Sequence, residues 1–156
     1  MKILKNKRLY LSIILICIYI LIIFYIKESN DIKQNTLYKV NYIYDGDTIS
    51  ILYKGRQKTI RLLGIDTPET VDPRKPIQCF GEQASLKTKE LLNNRSISLV
   101  FNLNREQKDK YNRYLGYVYR DDGLDINKYL IENGYAREYT YGKPYDRQKE
   151  FKKLEK

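Results

Sequence analysis

Four carboxylates and two arginines carry the strongest chemical signal in this chain of 156 residues. Asp45 and Asp47 stand in the string DGDT at 45–48. RLLGIDTPE at 61–69 places Arg61 in an apolar stretch, with Asp66 and Glu69 at its exit. Taken alone, Asp45-Gly46 is a turn signal, and a solvated cluster of acids is an ordinary surface feature. Together these residues suit a second task. If segments 48–53 and 57–65 pair as neighbouring strands, Asp47 and Asp66 meet at one end of the sheet. Two carboxylates and a main-chain carbonyl are hard oxygen ligands of the kind calcium takes. Pro68 biases Thr67 toward extended backbone, which gives the Thr67 carbonyl a defined direction. A phosphodiester accumulates charge as its phosphorus becomes five-coordinate, so cutting it calls for guanidinium forks aimed at its oxygens. Arg61 and Arg113 are the candidates, a charged barrel face being the alternative use of both. Glu69, beyond the two aspartates, is placed to take a proton from water, a demand that a bound cation lessens.

The composition narrows the chemistry further. There is no histidine in the chain, which excludes Ser-His and Cys-His nucleophiles and the usual histidine-ligated zinc sites. The formal net charge is +10. Residues 1–27 contribute five bases and no acid, leaving 24 basic against 19 acidic residues, or +5, for the remainder. That surplus fits a polyanionic partner. Cys17 and Cys79 cannot build a disulfide framework, and Cys79 reads as an inert unpaired thiol.

The elements that must position these groups follow from periodicity. Between residues 37 and 65 apolar and polar residues alternate, broken at Asp45-Gly46 and Lys54-Gly55, which predicts antiparallel strands near 37–44, 48–53 and 57–65. A loop rich in proline and acid follows, carrying Arg74 and Lys75, either of which can touch nucleic acid or simply be solvated. Residues 82–93 place Ala84, Thr88, Leu91 and Leu92 on one helical face. Strands are expected at 96–101, where Ile97, Leu99 and Phe101 share a face, and at 113–120. A helix is expected over 126–133, with Asp125 as N-cap and Gly134 as its stop, and another starts near Asp146. The fold class is therefore mainly β (α+β): a five-stranded barrel of the oligonucleotide-binding (OB-fold) type with three helices.

Ahead of it, residues 9–26 form an eighteen-residue run without a charge. At about 1.5 Å rise per residue they span about 27 Å, near the thickness of a bilayer's hydrocarbon core. The chain then divides into a cytoplasmic basic tail at 1–8, a transmembrane anchor at 9–26, a linker at 27–36 and the barrel domain at 37–156. Lys2, Lys5, Lys7 and Arg8 direct the tail inward and the domain outside the cell membrane. Secretion after cleavage of a signal segment is the alternative. No small-x-small cleavage pattern follows the run, and bulky Ile16 disfavours lipid attachment at Cys17.

DGDT at 45–48, RLLGIDTPE at 61–69, FGEQAS at 80–85 and DKYNR at 109–113, in that order, resemble the staphylococcal nuclease (thermonuclease) family over roughly residues 37–150. The resemblance implies an OB-fold barrel that, with Ca2+, hydrolyses DNA and RNA at the 5′-side P–O bond to leave 3′-phosphates. It implies Asp47, Asp66 and the Thr67 carbonyl as calcium ligands, with Asp45 as nearby acidic support. Arg61 and Arg113 become the catalytic arginines and Glu69 the general base. Lys110 and Tyr111 would approach a terminal phosphate. Tyr139 and Tyr141 would hold a base and sugar, core packing being their other use. The partners implied are DNA and RNA, single-stranded or locally opened, bound by a monomer. Asn112 stands where the family has glycine, and asparagine tolerates left-handed backbone. The chain stops at Lys156, where the family's last helix usually continues. The alternative function is a noncatalytic OB-fold module that binds nucleic acid or protein at the cell envelope.

Overall fold

The computed structural model describes residues 2–29, 31–68 and 80–155, with side chains for 10–25, 31–68 and 80–155. They form two compact units, Met1–Ile32 and Lys33–Lys156. The first is helix α1, Lys2–Ser29, whose side chains from Tyr10 to Tyr25 are all exposed. Among the described residues no helix is long and apolar enough to cross a membrane. The expected span, 9–26, begins and ends on residues whose side chains lie outside the described set.

The second unit is a closed barrel of five strands in the order β1 (Tyr38–Ile43), β2 (Thr48–Tyr53), β3 (Arg56–Leu62), β6 (Tyr114–Arg120) and β5 (Ser96–Val100). Pairing is antiparallel except between β3 and β6, which run parallel. This parallel seam closes the barrel, and it requires the long crossover through helix α2, Gly81–Leu92, and β5. The interior is filled by the residues whose alternation marks the strands. Ile49, Ile51, Ile60, Ile97, Leu99 and Val118 are entirely buried. Ala84, Thr88, Leu91 and Leu92 of α2 are buried together, as their helical spacing requires. Helix α3, Ile126–Glu132, begins where Asp125 accepts a hydrogen bond from the Lys128 amide, and beyond it Gly134 takes φ 72°. Buried Asn127 ties α3 to the barrel, accepting from the Val118 amide at 2.9 Å and donating to the Leu63 carbonyl at 2.8 Å.

Two features depart from the expected pattern. The strand expected over 57–65 is broken: β3 ends at Leu62, and after a turn at Leu63-Gly64 the chain resumes as β4, Ile65–Asp66. Gly64 has φ 80°, and a Cβ there would lie 2.6 Å from the Tyr145 ring, so only glycine fits this turn. Tyr145 donates to the Gly64 carbonyl at 3.1 Å. β4 then pairs with β7, Arg137–Glu138, an unexpected two-stranded sheet that includes Asp66. The compact unit also begins at Lys33, four residues before the expected domain start. The Asn35 amide donates to the Leu99 carbonyl at 2.9 Å, and Gln34 accepts from the Phe101 amide at 3.2 Å. The last helix, α4, is Gln148–Leu154, anchored by fully buried Phe151.

Candidate active site

Register on the β2–β3 hairpin places Thr48 opposite Arg61, which brings Asp47 beside the arginine. Asp47 is 4% exposed, and its carboxylate is surrounded by donors. Oδ1 accepts from Thr48 Oγ1 at 3.0 Å and faces Arg61 Nη1 at 3.0 Å. Oδ2 accepts from the Thr67 amide at 2.8 Å and the Thr67 hydroxyl at 3.0 Å. The Asp47 amide donates to Asp45 Oδ1 at 3.0 Å, so Asp45 shapes the turn leading into the site. The chain is packed tightly here: a Cβ on Gly46 would sit 2.7 Å from Thr67 Cγ2, and Thr88 of α2 donates to the Gly46 carbonyl at 2.8 Å.

One guanidinium joins the two aspartates. While Nη1 of Arg61 faces Asp47 and donates to the Ile65 carbonyl at 2.9 Å, its Nη2 donates to Asp66 Oδ1 at 3.1 Å. The other oxygen of Asp66 receives Arg137 from β7, through Nε at 3.3 Å and Nη2 at 2.9 Å. Burial pushes the Asp47 carboxyl up to about 7, Arg61 pulls it down, and neighbouring Asp45 adds to the rise. A buried carboxylate with a second acid beside it is a place where added positive charge is favoured.

The 109–113 turn presents the remaining cations. Asp109 Oδ1 accepts from the amides of Tyr111 and Arg113, both at 2.9 Å, while its Oδ2 takes Arg113 Nε at 2.7 Å. Asn112 adopts φ 63°, the left-handed backbone that its asparagine accommodates. Arg113 and Lys110 lie over the Tyr111 ring at 5.3 and 5.0 Å. Tyr139 and Tyr141 stack with centroids 6.5 Å apart and planes at 30°. Tyr139 is fastened to the break in β3 by its amide's hydrogen bond to the Gly64 carbonyl at 3.0 Å.

All these side chains line one cleft of about 410 Å³: Asp45, Asp47, Arg61, Asp66, Thr67, Lys110, Tyr111, Arg113, Tyr139 and Tyr141. Glu69, with Arg74, Lys75 and Cys79, lies outside the described residues. Among the described residues no group of three or more acid, cysteine or histidine side chains is placed to hold a metal ion. The oxygen set is the two aspartates with main-chain groups beside them. Sequence reasoning missed three residues here. Asp109 was within reach of it, because an aspartate two residues before a tight turn commonly accepts from the turn's amides. Arg137 and Arg105, whose guanidinium holds the carbonyls of Tyr141 at 2.7 Å and Lys143 at 2.8 Å, are placed by tertiary pairing and had no local signal.

Comparison with known proteins bears directly on this arrangement. A family model described as staphylococcal nuclease homologue matches residues 59–156. The thermonuclease of Staphylococcus intermedius is 41% identical over 136 residues, 83% of this chain and 79% of that protein. The thermonuclease of Staphylococcus hyicus is 35% identical over 153 residues, 94% of this chain and 89% of the relative. The endonuclease YncB of Bacillus subtilis is 44% identical over 98 residues, 62% of this chain and 46% of that protein.

Proposed function

The chain belongs to the staphylococcal nuclease family, and from that premise we propose that it is a calcium-dependent nuclease of DNA and RNA. On this reading it hydrolyses the 5′-side P–O bond and leaves 3′-phosphates. The observation that supports it best is the convergence of Asp47 and Asp66 on one guanidinium, in a cleft that also holds Arg113 and the Tyr139–Tyr141 stack.

The residues present fit a calcium ion. Asp47 and Asp66 are hard oxygen donors, they share a cation already, and Asp47 is buried at a cost that positive charge offsets. Asp47 and Asp66 would hold the ion together with the Thr67 carbonyl. When bound it supplies Lewis acidity toward a phosphate oxygen and toward water.

The chain's own groups do the rest. Glu69 takes the proton of the attacking water. Arg61 and Arg113 put two guanidinium charges in the same cleft, where they are stronger than in bulk water because the walls are partly apolar. Asp109 holds Arg113 by Nε, which leaves its Nη groups to meet phosphate oxygens in a fixed orientation. Tyr139 and Tyr141 offer ring faces to a base that must be unstacked, hence the preference for single-stranded or locally opened substrate. The exposed apolar side chains of α1, with the basic residues before them, support an anchor at 9–26 that leaves the domain outside the cell membrane.

The full-length chain, in detergent, is assayed on denatured DNA with calcium and with a chelator. Arg113→Ala and Glu69→Gln are each expected to lower kcat by about 100-fold or more, the usual cost of losing one transition-state contact. Cutting that survives chelation, or that Arg113→Ala leaves intact, overturns the proposal.

A further inference from the structure

A second cleft, of about 620 Å³, lies beside the first. It falls within the range of roughly 300–1,000 Å³ typical of ligand sites. Arg105, Asp109, Lys110, Leu115 and Tyr141 line both, so the two are one continuous depression. The segment Tyr141-Gly142-Lys143 links them, since Tyr141 lines both clefts and Gly142 and Lys143 line the second. Gly142 takes φ 72°, and Arg105 clamps the segment by donating to the carbonyls of Tyr141 and Lys143 on either side of it. Lys108, Lys143 and Glu106 line the second cleft alone, beside the shared Arg105, Lys110 and Asp109, and Asp109 is engaged by Arg113.

We propose that this second cleft is a binding site for the neighbouring nucleotides of a single strand whose scissile phosphate sits between Arg61 and Arg113. The inference rests on the nuclease reading and extends it. Tyr141 stands at the crossing with 57% exposure, so its ring serves as the stacking step over which the strand passes. Lys108 and Lys143 then meet the phosphates beyond it. Arg105 is a positioning residue: both its Nη groups are spent on the carbonyls of Tyr141 and Lys143.

The test uses the full-length chain with Lys108→Gln/Lys143→Gln. A non-cleavable phosphorothioate decanucleotide is bound in chelator and followed by fluorescence anisotropy across a salt series. Losing two phosphate contacts lowers the slope of log affinity against log salt by about 1.4, at about 0.7 for each contact with a single strand. Under turnover, KM for a decanucleotide rises about tenfold relative to KM for a dinucleotide, which is too short to reach the second cleft. Lys143→Gln alone gives about half the change in slope, so the result does not depend on Lys108, whose Nζ lies 4.3 Å from the Tyr114 ring centroid. The control pair Lys152→Gln/Lys153→Gln on α4 leaves both readouts where they were. An unchanged slope, an equal rise in KM on both substrates, or the same loss from the control pair overturns the proposal. Anisotropy needs no turnover. A chain that loses slope but never cuts refutes the nuclease reading alone, and one that cuts with unchanged slope refutes the second cleft alone.

Discussion

Replacing Arg61 by glutamine removes the guanidinium that Asp47 and Asp66 share. Asp47 is 6% exposed at its side chain and Arg61 14%, so this half of the network behaves as a buried pair. Breaking such a pair by removing one partner costs about 3–5 kcal/mol, because the remaining charge is left desolvated. The Asp66 half, with that side chain 29% exposed and held also by Arg137, adds at most about 1 kcal/mol. The expected loss at pH 8 without calcium is therefore about 4 kcal/mol, or about 15 °C in Tm for a domain of this size. The deficit shrinks in two ways. Burial raises the Asp47 carboxyl and Arg61 opposes that rise, so without Arg61 it moves above about 7. A folded-state carboxyl above its unfolded value keeps a proton that the unfolded chain has released, and stability rises as pH falls through that window. At pH 5 most of the loss is recovered. Calcium at pH 8 recovers it by supplying the missing charge. Thermal unfolding followed by circular dichroism at pH 5 and 8, with calcium and with chelator, reads all four conditions. A loss below about 1 kcal/mol at pH 8, or one that neither acid nor calcium reduces, would show that Asp47 does not depend on Arg61 in this way.

Further outcomes follow from the same geometry. Calcium affinity, measured by calorimetry, falls about tenfold per pH unit below about 7, since a protonated Asp47 cannot ligate; an affinity flat from pH 5 to 8 would remove Asp47 from the ligand set. Arg137→Gln raises calcium affinity several-fold in the same experiment, because Arg137 occupies Asp66 Oδ2 and repels a cation; an unchanged or weaker affinity counts against Asp66 as a ligand. Phe151→Ala costs about 3–5 kcal/mol by denaturant titration, since the ring is fully buried against Tyr117 and Tyr145 with the Arg147 guanidinium 4.6 Å from its centroid; a loss under 1 kcal/mol would mean that α4 contributes little to the domain.

Much of the fold could be read residue by residue. Period-two alternation located all five barrel strands within about two residues, except at Gly64, where the pattern continued while the backbone turned. Helix α2 and the capped helix α3 followed from spacing and from Asp125 and Gly134. Of the site residues placed in the structure, each stands in the cleft, because the short strings that carry them sit at strand ends and turns. Invisible in advance were contacts between segments far apart in sequence. Arg137 meets Asp66 only because β4 pairs with β7, and Arg105 finds Tyr141 only because two loops close over one another.

Alone, the order of side chains determined which residues could bear charge, accept a proton or stack, and which face of each strand would seek the interior. These are local properties, set by side-chain chemistry and by the two-residue period of an extended backbone. What tertiary structure decided is which charges share a partner. The parallel seam of β3 with β6 closes the barrel, and the glycine break then carries Asp66 back toward Asp47 so that one guanidinium serves both. That outcome depends on closure and on burial. Only removal from water makes the Asp47 carboxyl answer to Arg61 so strongly that its protonation and the stability of the fold move together.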